Sequence, residues 1–355
     1  MSVLHSVGTA LPDHQLKQHE AKDLIKTLIT ENRLSKYLSV FDKAQIDTRH
    51  FVVESDWFKQ NHDFAERNQL FMSKGIELAE RAVINSIDQG ELNIEDIDAI
   101  ITVTSTGILT PSLDIHLMNR LPFQHNVNRM PLFGLGCAGG GIALSRANDY
   151  LRANPTHSIM IVAVELASVA FHRDQLDAQD IVGAALFSDG ASSAILLGAA
   201  HRLAEQKKAK SLRVISTTSK MLPDSVDVMG WNIKNDGFHV VFATSIPKIV
   251  RTFWRKHLDE FLSESHIELS DIENLLSHPG GRKVIEEIEN VMAENQSIAF
   301  SKDVLRKYGN MSSPTVLFVI KEALNNQEHA FHKQYHLVSA LGPGFSSEML
   351  LLEWA

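Results

Sequence analysis

Cys137 is the only cysteine in the 355 residues, so no disulfide can close within the chain, and it stands in Gly134-Leu135-Gly136-Cys137-Ala138-Gly139-Gly140-Gly141. The run reads as a buried segment turning into a helix start made of small residues. Glycines let the backbone come close to a ligand, and the free N–H groups and dipole of a helix N-terminus favour thiolate over thiol. A small buried cysteine beside a tight turn is the inert alternative. A nucleophile needs partners, and two other segments carry them. His278 closes a predicted strand over Asn274–Ser277 and precedes Pro279-Gly280-Gly281 and a predicted helix over Arg282–Met292; strand ends in such sheets face ligands. Asn310 stands in Tyr308-Gly309-Asn310-Met311-Ser312-Ser313-Pro314, where its amide either caps the next helix or points into a cavity. Thiolate, imidazole and amide are the parts of nucleophilic acyl transfer: one attacks a thioester, the others hold the charge that develops on a carbonyl oxygen. No second cysteine and no predicted helix with two histidines four apart accompanies them, so no metal ligand set is expected. His172-Arg173-Asp174 spells a kinase catalytic-loop triplet without the glycine-rich loop or lysine strand that would support it, and it carries nothing.

The elements that position these groups repeat. Glu91-Leu92-Asn93-Ile94-Glu95-Asp96-Ile97 recurs in type as Ile267-Glu268-Leu269-Ser270-Asp271-Ile272, and the 175-residue offset from Asp96 to Asp271 carries Cys137 onto Ser312. Helices are expected over Ala138–Asn154 and Ser312–Asn325, each opening with small residues and continuing with apolar positions at helical spacing. Ser188-Asp189-Gly190 and Gly342-Pro343-Gly344 each precede a closing strand. An ancient duplication explains two such halves, 1–205 with the cysteine and 206–355 with the histidine and asparagine, joined by a charged connector over Ala199–Lys210. Strands at Ala99–Thr104, Met130–Phe133, Ile159–Val164 and Ser192–Leu197 alternate with helices, which predicts mixed sheets covered on both faces. Gln15–Arg33 and Asn68–Ser86 read as helical scaffold.

With 44% hydrophobic residues, 22% charged and a net charge of −9, the chain is an ordinary globular protein poorly suited to binding nucleic acid. The first residues lack a signal-peptide pattern, and the longest apolar stretch, Ile159–Phe171, is broken by Glu165 and too short to span a bilayer. No membrane span and a cytoplasmic location are expected.

Gly136-Cys137-Ala138-Gly139-Gly140, His278-Pro279-Gly280-Gly281 and Gly309-Asn310-Met311-Ser312-Ser313 together resemble the three signatures of type III polyketide synthases, the chalcone-synthase-like enzymes of the thiolase superfamily. Val182-Gly183-Ala184-Ala185-Leu186-Phe187-Ser188-Asp189-Gly190 and the final Gly342-Pro343-Gly344 extend the similarity over most of the chain, and Pro279-Gly280-Gly281 favours the polyketide branch over initiating ketoacyl synthases. The resemblance implies an α/β thiolase-like fold, a duplicated αβαβα five-layered core with mixed sheets. It implies a homodimer that takes acyl-CoA and malonyl-CoA as substrates without a cofactor. Cys137 would carry the starter acyl group, with His278 and Asn310 as its catalytic partners.

The same resemblance suggests pocket residues. Phe187 and Phe238 match gatekeeping aromatics, although Phe187 is also explicable as core. Ser105, Ser312 and Glu165 match a hydrogen-bonded network that influences chain release or cyclisation in plant members, and Thr106 is assigned to the same pocket; a carboxylate on an apolar strand needs such partners. Gly342, Pro343 and Gly344 match a cyclisation loop, with Ala340 and Leu341 where the family pattern has a glycine and an aromatic. Lys43 and Arg49, in Phe41-Asp42-Lys43-Ala44-Gln45-Ile46-Asp47-Thr48-Arg49, match a CoA-binding segment, and Gly280 and Gly281 would line the same passage. Thr110 stands where plant enzymes carry a methionine that crosses into the partner's cavity, and its smaller side chain suggests room for a long starter. The reading is iterative condensation of malonyl-CoA onto a fatty acyl starter, followed by closure to an alkylpyrone or alkylresorcinol-type product. A single-condensation 3-ketoacyl synthase and a non-catalytic acyl-binding or partner subunit are the alternatives.

Overall fold

Runs such as Ala99–Thr104 and Ser158–Glu165 are apolar on both faces, and both form strands buried along their whole length, as expected where helices cover a sheet from two sides. The computed structural model describes residues 2–174, 176–204, 212–292, 296–326 and 335–354. Its strands are β1 (Ser2–Ala10), β2 (His14–Lys17), β3 (Thr48–Phe51), β4 (Ala99–Thr104), β5 (Asn128–Phe133), β6 (Ser158–Glu165), β7 (Gly190–Gly198), β8 (Leu212–Met221), β9 (Met229–Lys234), β10 (Gly237–Phe242), β11 (Ile272–Ser277), β12 (Tyr335–Gly342) and β13 (Ser346–Trp354). The helices are α1 (Gln18–Leu28), α2 (Ser39–Lys43), α3 (Phe64–Leu70), α4 (Ile76–Gly90), α5 (Leu113–Met118), α6 (Gly139–Ala153), α7 (Ala178–Leu186), α8 (Ile246–Ile249), α9 (Arg255–Glu264), α10 (Arg282–Val291), α11 (Ala299–Tyr308) and α12 (Thr315–Asn325).

Among the described residues, nine strands form one mixed sheet in the order β11-β12-β13-β8-β1-β7-β6-β4-β5. β1 and β8 join its two halves through only three residue pairs, Ser2↔Val214, Val3↔Arg213 and Leu4↔Leu212. Alternate residues of each strand face different helix layers. Ile101, Val103, Ile159 and Ile161 pack with α6 and α12, and Leu276, Val338 and Leu350 from the other half join the same cluster. The opposite strand faces carry Ile100, Met160 and Val162 against α4, and Leu275, Leu337 and Leu351 against α9 and α10. Helix, sheet, helix pair, sheet, helix is the five-layered αβαβα arrangement of the thiolase fold. The central helix α12 buries Thr315, Val316, Leu317, Phe318, Val319 and Ile320 in succession, because a helix between two sheets has no solvent face.

The repeat is visible in detail. Asp96 and Asp271 each accept a hydrogen bond from a backbone N–H three residues earlier, Asn93 and Glu268, both at 3.1 Å. Each closes a 3-10 turn that feeds a strand, β4 or β11. The counterpart of β5 is reduced, among the described residues, to a bridge between Asn274 and Ser297.

Gln15–Lys17 departs from expectation: these residues pair with β3 as strand β2, and the helix begins at Gln18. Tertiary pairing overrides the apolar period there, because β3 leads directly into the site and needs a neighbour. The helix expected from Ala138 starts at Gly139 after a 3-10 turn over Gly136–Ala138, and the one expected from Ser312 starts at Thr315. Of the expected connector, residues 205–210 lie outside the described residues.

Candidate active site

Cys137 lies in the 3-10 turn that joins the loop after β5 to α6, and its side chain is buried. The turn is packed from the other half of the molecule. A Cβ at Gly140 would fall 2.4 Å from the Ser313 carbonyl oxygen, and one at Gly342 would fall 2.5 Å from Ala138 Cβ. These glycines therefore make room for the duplicated turn and the β12–β13 loop, where the sequence suggested room for a ligand. Pro343 belongs to that same packing, since a Cβ at Gly136 would meet its ring at 2.8 Å. Gly344, at φ +63°, turns the loop.

The Sγ of Cys137 is 3.5 Å from Ser312 Oγ and 4.0 Å from Asn310 Oδ1. Asn310 is held at both ends of its amide: Oδ1 accepts from the Ser312 N–H at 2.7 Å, and Nδ2 donates to the Gly280 carbonyl at 3.2 Å. It closes a turn two residues ahead and does not cap α12. One N–H of its amide remains for a further acceptor. Gly280 links this group to His278, because a Cβ there would sit 3.9 Å from His278 Nε2. His278 follows β11 directly, fixed by its backbone N–H donating to Ser339 O at 2.7 Å. Among the described residues neither of its ring nitrogens has a hydrogen-bond partner, although the ring is buried. A buried imidazole without a partner is costly unless it serves a further group. Burial pushes the Cys137 thiol up to about 11, assisted by the Glu165 charge and opposed by the Ser312 and Asn310 hydrogen bonds. Burial likewise pushes His278 down to about 3.

Glu165, at the end of β6, is fully buried and collects donors. Ser105 supplies its backbone N–H and Oγ, both at 2.9 Å, Thr106 Oγ1 lies at 2.7 Å and Ser313 Oγ at 2.8 Å. Burial raises its carboxyl above the ordinary range, and these hydrogen bonds pull it back. Sequence reasoning placed Ser105, Ser312 and Glu165 in this network and Thr106 only in the pocket; the structure adds Thr106. It gives the place of Ser312 to Ser313 and turns Ser312 toward the thiol. The doubled serine after Met311 is the one signal that could have raised the choice.

Phe187 ends α7 in an extended conformation and forms a parallel bridge with Asn310. Phe238, on β10, is almost fully buried. The two aromatics are connected by Trp231, whose ring centroid lies 6.2 Å from Phe187 and 6.1 Å from Phe238. Trp231 was not anticipated, because only the β9–β10 hairpin register brings it opposite Val240, two residues beyond Phe238.

The expected role of Arg49 in binding CoA is corrected. Its side chain is 1% exposed, donates to the carbonyls of Ala184 and Phe187, and packs its stem against Gly309. A guanidinium buried under the Asn310 turn cannot meet a phosphate at a surface. Lys43, at the end of α2, is exposed, and Arg282 donates to its carbonyl at 3.4 Å. Thr110 is exposed on this chain.

The family model for the N-terminal domain of chalcone and stilbene synthases matches residues 1–201, and that for the C-terminal domain matches residues 213–354. The chain belongs to this family, the type III polyketide synthases. A Bacillus subtilis (strain 168) protein provisionally named a chalcone synthase is 35% identical to this polyketide synthase, covering 100% of its chain and 99% of the relative. The 1,3,6,8-tetrahydroxynaphthalene synthase of Streptomyces peucetius subsp. caesius is 33% identical over 98% of the chain and 92% of the relative. The crystal structure of the Streptomyces coelicolor A3(2) tetrahydroxynaphthalene synthase superposes with a TM-score of 0.92 at 26% identity, covering 99% of each chain. The synthase is thus an acyltransferase-type condensing enzyme. Among its described residues, no helix is long and apolar enough to cross a membrane.

Proposed function

We propose that this type III polyketide synthase loads an acyl-CoA starter onto Cys137 and extends it with malonyl-CoA. The observation that carries the reading is that the Cys137 thiol lies 4.0 Å from the Asn310 amide oxygen, while the same amide's nitrogen is bonded to Gly280, which borders the His278 ring. Proton transfer from Cys137 to His278 makes a thiolate and an imidazolium whose attraction offsets both burial costs. The thiolate attacks the thioester carbonyl, the acyl–sulfur bond to CoA breaks, and CoA leaves as a thiol with the imidazolium proton. Malonyl-CoA then loses CO2, and the two electrons of the broken C–C bond form an enolate held by the His278 and Asn310 donors. Its carbon attacks the Cys137 thioester and releases the thiolate for another cycle. No net oxidation or reduction occurs, so the reaction as written needs no redox cofactor.

A fatty acyl starter is supported by a narrow cavity lined by Leu16, Leu24, Ile25, Phe51, Phe58 and Phe187, apolar for most of its wall and reaching the residue bridged to Asn310. Such a chain would release alkylpyrones or alkylresorcinols. A homodimer is proposed on the exposed Ile108 and Phe133, which lie at the same end of the paired strands β4 and β5; Thr110 would then reach a partner's cavity. Intact-mass measurement after exposure to acyl-CoAs of increasing length, followed by product analysis with malonyl-CoA, tests the reading. Adducts absent from Cys137→Ala and favoured for long chains are expected; an adduct that survives Cys137→Ala, or a preference for acetyl starters, would overturn it.

A further inference from the structure

His172, Asp236 and His239 converge from two separate segments, with ligand-capable atoms all within 4.8 Å of one another. His172 follows the 3-10 turn Ala167–Ala170, Asp236 lies in the turn between β9 and β10, and His239 is on β10. Both imidazoles are buried, whereas the Asp236 side chain is 32% exposed and opens the cluster to solvent. Asp236 Oδ2 is 3.3 Å from His172 Nδ1, and Oδ1 is 2.9 Å from His239 Nε2. The two rings lie 3.9 Å apart.

The hydrogen bond of His172 makes this more than a polar cluster. Its Nε2 is 3.1 Å from the Phe238 carbonyl oxygen, which can only accept, so Nε2 carries the hydrogen. A neutral ring then turns the bare lone pair of Nδ1 toward a carboxylate oxygen. The Arg67 guanidinium also lies near this ring. Arg67 is fixed there, donating to the carbonyls of Val169 and Phe171. A divalent ion relieves the same contact through three donors at once, and the carboxylate cancels half its charge. Two imidazoles and a carboxylate suit zinc, cobalt or nickel rather than calcium or magnesium, which take oxygen ligands. A backbone carbonyl on the distal ring nitrogen is the contact that commonly orients a ligating histidine.

We propose that His172, Asp236 and His239 form a binding site for a divalent transition-metal ion of the zinc class, which clamps the β9–β10 hairpin to the segment after Ala170. That hairpin carries Trp231 and Phe238 beside Phe187, so the ion would fix the wall of the substrate passage without touching the reacting atoms. The three ligands have no metal-site spacing in the chain, which is why sequence alone passed over them.

The test uses the full-length protein without a histidine tag, stripped with a chelator, dialysed and titrated with Co2+. One equivalent per chain should bind, with the visible absorption of a four- or five-coordinate nitrogen–oxygen site, and added Zn2+ should displace it and raise the Tm. Asp236→Asn, isosteric and in a turn, should weaken Co2+ binding at least about tenfold; His239→Gln should abolish the absorption. His14→Ala, removing an exposed histidine on β2, should change nothing. Wild-type protein that binds no Co2+, or binding undiminished in both Asp236→Asn and His239→Gln, would overturn the proposal.

Discussion

Cys137 Sγ and Ser312 Oγ lie 3.5 Å apart in space and 175 residues apart in the chain, the same offset that relates Asp96 to Asp271. The two equivalent turns of the duplicated fold therefore meet, one supplying the thiol and the other, through Asn310, the amide. The proposed catalytic centre sits where the halves touch, so anything that separates the turns acts on both.

Removing His278 should expose the cost of burying Cys137. In His278→Ala no imidazole can take the thiol proton, and burial holds the thiol at about 11. Iodoacetamide alkylation of this variant should then climb about tenfold per pH unit through the alkaline range. The wild-type rate should be flat across neutral pH. Parallel profiles for the two proteins would remove His278 from the role of proton acceptor.

Gly342 and Gly344 should respond differently to alanine. At Gly342 the new methyl would strike Ala138 Cβ at 2.5 Å and its backbone nitrogen at 2.8 Å, displacing the cysteine turn. A displacement near 1 Å at a nucleophile lowers kcat by about 100-fold. At Gly344 nothing among the described residues lies within 4 Å of the new methyl, but φ is +63°, so alanine should cost about 1–2 kcal/mol of stability with less effect on turnover. Steady-state rates and denaturant midpoints distinguish the two; equal effects on kcat would contradict the packing argument.

Lys43 and Arg49 should separate into a binding and a structural role. Lys43→Ala should raise KM for the CoA esters roughly two- to fivefold, the worth of an exposed charge pair. Arg49→Met strips the Ala184 and Phe187 carbonyls of their donor, and should cost about 1–3 kcal/mol for each one left unpaired, with KM little changed in the protein that folds. A large KM effect from Arg49→Met in a fully stable protein would restore it to the CoA site.

Acid should destabilise the fold through buried histidines. His257 bridges Thr218 Oγ1 and Ser347 Oγ at 3.1 and 2.9 Å. Burial first, then the charge of Lys220 against the weaker opposing pull of Glu260, pushes it down to about 4. The unfolded chain takes up its proton near the ordinary value of about 6.5. The stabilisation is therefore complete above that pH and is lost as pH falls toward 4. Tm measured from neutral to mildly acidic pH should fall more steeply in the wild type than in His257→Gln, and identical slopes would exclude the effect.

Much of this was legible in the chain. The three signature turns, the repeat and the buried strands rest on local composition and spacing, which survive folding unchanged: a lone cysteine among glycines, a histidine at a strand end and apolar runs of strand length. Gln15–Lys17 was misjudged because pairing with β3 outweighs a weak helical period. Arg49 was misjudged because a basic residue has the same identity whether it faces solvent or lies under Gly309.

The sequence by itself determined the family and the layered α/β architecture, and it singled out Cys137, His278 and Asn310 as candidates, because each depends on residues close together in the chain. Only the tertiary structure decided that Ser313 and not Ser312 serves Glu165, that Trp231 connects Phe187 and Phe238, and that His172 meets Asp236 and His239. Those relationships depend on which side chains long loops and a hairpin register bring within hydrogen-bonding distance. That is settled by packing between distant segments, and no local pattern encodes it.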